Sequence, residues 1–127
     1  MAIIVTDLDR SILISAVAEC TRARAADRRL DVIIATAVFP ALTRLAVLDT
    51  GVWQHDDGTR VRALRYSASR SAASTLVPIG CWLEEGDSGA ARVSGADGEW
   101  DGLHSVEEIA ICIAALRARM DVDQFSV

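Results

Sequence analysis

The chain has 127 residues, 51% of them hydrophobic and 24% charged, with a mean hydropathy of +0.27 and a formal net charge of −5. That length and apolar content fit one domain with its own core and exclude a disordered chain. No run of ~20 apolar residues occurs, so no membrane-spanning helix is expected, and the acidic balance argues against a general nucleic-acid binder, which carries a basic stripe.

In chain order, Thr6-Asp7-Leu8-Asp9 reads as a helix start, with a capping threonine and acids where the helix dipole favours them. Leu8, Ile12, Ala16, Cys20 and Ala23 then recur at helical spacing, which predicts a helix over about Asp7 to Ala25. Arg22, Arg24, Arg28 and Arg29 read as a solvated helix end and turn. In LDVIIATAVFP an apolar face of Leu30, Ile33, Ile34, Ala37 and Val38 predicts a second helix, stopped by Pro40. The segment from Ala41 to Thr50 is ambiguous between a helical turn and the lead-in to a strand.

Val52 to His55 is β-prone, and Asp57-Gly58 is a hairpin turn pair. Thr59 to Ser67 reads as the return strand. Ser67 or Ser69 caps a short helix that Pro78 and Gly80 end. Cys81-Trp82-Leu83, Ala90 to Ser94 and Glu99-Trp100 read as further short strands, separated by polar turns at 84–89 and 95–98. Ser105-Val106-Glu107-Glu108 has the pattern of a capping box, followed by a stripe of Val106, Ile109, Ile113, Leu116 and Met120. The expectation is a single α+β domain over 1–120 with a flexible tail over 121–127. No internal repeat or linker is visible.

No residue pattern points to catalysis. His55, Asp56 and Asp57 are read as a turn, because a metal site needs three or more ligands in fixed geometry and only His104 remains as a second histidine. Without lysine in the chain there is no phosphate-binding GxxxxGK[ST] loop, and GxSxG is absent. Cys20, Cys81 and Cys112 form no CxxC pair and lie among apolar residues. They are read as buried hydrophobes in a reducing cytoplasm. Cys81 is expected to be quieted by Glu84 and Glu85. The N-terminal MAIIVTDLDR lacks the basic and long apolar regions of a signal peptide. No enzymatic role, cofactor or metal is expected.

Three stretches carry a resemblance: RRLDVIIATAV (Arg28–Val38), RYSASRSAASTLVPIGCW (Arg65–Trp82) and EIAICIAALRAR (Glu108–Arg119). In this order and spacing they resemble the phage ABA-sandwich domain family, small phage and prophage proteins of GC-rich bacteria. The chain departs within SASRSAAS, where Arg70-Ser71 stands in place of a Leu-Asp that members often have. The resemblance implies an α-β-α sandwich, a small, mostly antiparallel sheet of four to five strands with helices on both faces. It also implies a phage-related origin, and it implies no activity.

Charge supplies the functional expectation. Residues 1–80 carry net +2 and residues 81–127 net −7. An acidic surface of Glu84, Glu85, Asp87, Asp97, Glu99 and Asp101 is expected to bind a host protein complex by competing with nucleic acid for a basic channel. A CRISPR effector is the favoured partner, which makes the chain an anti-CRISPR-type inhibitor. The alternative is a virion or prophage accessory protein that forms homo-oligomers through an exposed tryptophan among Trp53, Trp82 and Trp100. A third reading, an enzyme using His55 with Asp57, or Cys81, is the weakest.

Overall fold

A computed structural model describes residues 7–86 and 89–122. The described residues are α+β, with four α-helices and six strands. The strands do not make the single expected sheet of four to five. They make two three-stranded antiparallel sheets, β1-β2-β3 and β4-β5-β6.

Helix α1 (Asp7–Arg22) stops three residues short of the expected Ala25, where the Ala23 amide closes back on Glu19 and Cys20. Leu13, Ala16 and Cys20 face the core, while Leu8 is exposed. Helix α2 (Arg28–Val38) is capped by Asp27, whose carboxylate accepts from the Leu30 amide at 3.2 Å. The ambiguous segment resolves into a 3-10 turn, Pro40–Arg44, and strand β1 (Ala46–Asp49). Thr50-Gly51 turns β1 into β2 (Val52–Gln54). Gly51 has φ +79, a backbone conformation that favours glycine, and a side chain there would also displace the Arg28 guanidinium.

The HDDG stretch is a turn. The His55 amide bonds the Thr59 carbonyl, and Asp57 Oδ1 accepts from the Thr59 amide at 2.9 Å. Strand β3 (Arg60–Arg62) is much shorter than the expected Thr59–Ser67. Past Arg62 the chain leaves the sheet, because the carbonyls of Ala63 and Leu64 are taken by Arg28.

Arg28 belongs to a buried polar cluster. Asp31, 1% exposed, accepts from the Ser67 amide at 2.8 Å, from the Ser67 hydroxyl at 2.6 Å and from Arg28 at 2.9 Å. The cluster bolts the start of α2 to the segment before α3 (Arg70–Ser74). Ser69 caps α3, which frees Ser67 for this role.

The second sheet is β4 (Trp82–Glu85), β5 (Ala90–Gly95) and β6 (Gly98–Leu103). Helix α4 (Glu107–Asp121) packs against α1, α3, β5 and β6. It is buried on nearly every side and not on one stripe alone: Ile111, Cys112, Ala115 and Ala118 join Ile109, Ile113 and Leu116 in the core. A helix apolar all round belongs at the centre of a domain.

Its start corrects the expected capping box. The N-cap is Val106, with no side-chain cap, and Ser105 is exposed. His104 does the work instead. Its Nδ1 accepts from the Val106 amide at 2.9 Å, so the ring proton sits on Nε2, which donates to the Ala23 carbonyl at 2.6 Å. Asp121 closes α4 and Val122 is buried. The remainder of the expected tail, 123–127, lies outside the described residues.

Candidate functional site

The pairing of β4, β5 and β6 sorts the second sheet into two faces. Residues directly opposite on neighbouring antiparallel strands point the same way. One set, Leu83, Val93 and Trp100 with Ala91 and Gly102, lies towards α4. The other set forms three rows facing away: Trp82-Ser94-Glu99, then Glu84-Arg92-Asp101, then Ala90-Leu103. Trp82 is 54% exposed and Leu103 73% exposed, so two large apolar groups stand at opposite corners of a face that no described helix covers.

Between them the polar groups are held in place. Glu84 accepts from Ser94 Oγ at 2.9 Å and from Trp82 Nε1 at 3.3 Å. Arg92 bridges its row and the next, 2.7 Å from Asp101 and 3.2 Å from Glu99. The Arg92 hydrogen bond and charge hold the Asp101 carboxyl below the usual aspartate value. The Arg92 pairs are solvent-exposed, so they order the surface more than they stabilise the fold, while the Glu84–Ser94 bond is part-buried. Three carboxylates face one guanidinium, and the face stays acidic.

The structure therefore brings together three of the six acids named from sequence: Glu84, Glu99 and Asp101. Asp97 is exposed in the β5–β6 turn, beyond the rows. Glu85 ends β4, its backbone opposite Ala91. Asp87 lies outside the described residues. Arg92 is the member that sequence reasoning missed. The period-2 alternation Arg92-Val93-Ser94 marks it as outward-facing, but only the pairing register shows which acids it meets.

The three tryptophans separate cleanly. Trp53 is in the core, Trp100 is half-buried and bonded to Asp121 at 2.8 Å, and Trp82 is the exposed one.

The chain matches no protein-family model, no curated protein and no solved structure.

The remaining chemical candidates do not assemble a site. Among the described residues, no group of three or more His, Cys, Asp or Glu side chains could hold a metal ion. His104 is engaged as a structural bridge, far along the chain from His55. Burial pushes the Cys20 thiol up to about 12 and raises Cys112 further. Cys81 is half-buried and its thiol is also raised, by desolvation first and by Asp97 second, an acid that the sequence did not single out for it. No described helix is long and apolar enough to cross a membrane.

Proposed function

We propose that this chain is a non-enzymatic binding protein that docks the outer face of its second sheet on a basic surface of a bacterial defence complex. The partner class is a nucleoprotein effector of the CRISPR type, and the effect is inhibition by competition with nucleic acid. The observation that carries the reading is the uncovered face itself. An exposed Trp82 is set beside Glu84, Glu99 and Asp101, all fixed by hydrogen bonds or ion pairs before any partner arrives. An exposed aromatic anchor beside ordered polar groups is a combination that interfaces use. Preordered carboxylates carry the same sign of charge as the phosphates that a cationic channel binds.

The phage or mobile-element origin rests on the resemblance of the three stretches, as does the layered sandwich. On this reading the second helical layer over the β4-β5-β6 sheet would come from the partner.

The test is capture from a defence-competent bacterial lysate with wild-type protein and with Trp82→Ala, Glu84→Lys and Asp101→Lys combined. Wild type is expected to retain a nucleic-acid-binding complex at ~0.15 M salt. Loss of the tryptophan alone should weaken retention by about thirtyfold or more, the effect of a hot-spot aromatic. Equal recovery by both proteins would sink the proposal.

One observation favours the alternative of an oligomeric accessory protein. Edge strand β1 is exposed along its whole length, with Val47 71% and Leu48 45% exposed. An unprotected apolar edge invites pairing with a second copy. A monomer by light scattering removes that alternative.

A further inference from the structure

A cavity of about 470 Å³ opens between the end of α2, the 3-10 turn, β3, the end of α3 and the last turn of α4. It lies away from the uncovered sheet face and has no part in the proposed docking. Its wall is apolar, from Val38, Leu42, Leu45, Val61 and Leu76. Phe39 and Leu64, each about half exposed, also line it. That size and lining are those of a small-molecule site and not of a packing defect.

Five polar residues break the apolar wall, His55, Arg62, Tyr66, Thr75 and Arg119, and two of them are placed to hold a ligand. Arg119 uses its Nε to donate to the Leu76 carbonyl at 2.6 Å. Among the described residues it has no carboxylate within ion-pair distance. Asp121, two residues on, is turned to Arg10 at 3.0 Å and Trp100 at 2.8 Å. The second group is the Tyr66 hydroxyl, which bonds no described residue. Both residues line the cavity, and no fully buried side-chain polar atom among the described residues lacks a partner, so their unbonded donors reach open space. Arg62, which has no ion-pair partner among the described residues, adds a second cation to the lining. Burial pulls the Arg119 guanidinium below the ordinary arginine value, the mark of a cation drawn out of water without a counter-ion.

We infer that this cavity binds a small amphipathic carboxylate, its hydrocarbon body against Leu42, Val61 and Leu76 and its carboxylate on the Arg119 guanidinium and the Tyr66 hydroxyl. The argument is charge complementarity. An arginine fork matches a carboxylate with two parallel hydrogen bonds, and an apolar wall with a few convergent donors fixes the orientation of such a ligand. At the roughly 30 Å³ that a water-sized group occupies in a liquid, the cavity holds about fifteen non-hydrogen atoms. A medium-chain or arylalkyl monocarboxylate fits.

The probe is octanoate, titrated calorimetrically at pH 7 and compared with 1-octanol, which has the same chain and no charge. Octanoate is expected to bind at least tenfold more tightly. Arg119→Gln should erase the difference, while Arg119→Lys, which keeps the charge, should retain most of it. Thermal melting of both variants separates lost binding from lost folding, and the comparison of the two ligands on wild type needs no variant at all. Equal binding of octanoate and octanol, or no binding of either, overturns the inference. A dimer that octanoate neither binds nor dissociates would give the cavity to a second copy, and would overturn it too.

Discussion

Gly102→Val is expected to leave the chain unable to fold stably. Gly102 sits in β6 where that strand passes over α4. A Cβ built there runs into the Ala110 carbonyl oxygen and comes within 2.8 Å of the Ala114 amide nitrogen. Both are backbone atoms of the central helix, so no rotamer change relieves the clash. Sheet and helix would have to separate along the contact that buries Val93, Ala91, Ala110 and Ala114. Overpacking of a core costs about 1–3 kcal/mol and sometimes more. Here the strain comes with lost burial on both elements, so the loss should pass about 3 kcal/mol, a large part of the 5–15 kcal/mol of an ordinary domain. Gly102→Ala should be milder but still clearly destabilising. Pairing it with Ala110→Gly should rescue nothing, since the obstacle is backbone. The check is urea unfolding followed by circular dichroism. A Gly102→Ala midpoint equal to wild type would mean that β6 does not approach α4 this closely.

Asp31→Ala is expected to cost about 3 kcal/mol, in the range for removing one partner of a buried ion pair. The carboxylate accepts three hydrogen bonds from two residues, one of which, Ser67, is fully buried. Without it the Ser67 amide is left without an acceptor, and an unsatisfied buried donor carries its full desolvation cost. Arg28 would keep the Ala63 and Leu64 carbonyls, which sets the loss below the worst cases. Asp31→Asn should fall between wild type and alanine. Its carbonyl can still serve Ser67, but its amide group would face the Arg28 donors. The readout is a lower urea midpoint at unchanged slope. If alanine were neutral, the cluster would not be what ties α2 to the segment before α3.

Local chemistry made much of the fold legible. The Asp57-Gly58 pair marks the β2–β3 turn, the apolar period marks α1, α2 and α4, and Pro40 ends α2 as expected. What stayed hidden depends on partners distant in sequence. Strand β1 was unreadable because its residues are all exposed, so no alternation of apolar and polar positions announces it. The division into two sheets was equally hidden, since nothing local says that β3 and β4 do not pair. In SVEE the letters of a capping box are present, yet the loop geometry gives the cap to His104. Asp31 carries no local sign of its cluster, because its partners Ser67 and Arg28 reach it across 36 and three residues of chain.

The candidate face was half legible. Composition singled out the acidic C-terminal half and the three tryptophans. Strand parity then places Glu84, Glu99 and Asp101 together and turns Trp82 outward. Arg92, which ties two of those acids down, could be assigned only from the register Arg92↔Asp101. The cavity with Arg119 and Tyr66 left no local sign at all, because its wall is drawn from elements across almost the whole chain.

The proposed competition between the outer face of the β4-β5-β6 sheet and nucleic acid is checked by measuring how tightly the captured complex binds its target DNA as this protein is added. The predicted result is a progressive, saturable weakening of DNA binding that excess DNA reverses and that the Trp82→Ala, Glu84→Lys, Asp101→Lys variant fails to produce. DNA binding unchanged at saturating protein, or weakened equally by the variant, would contradict it.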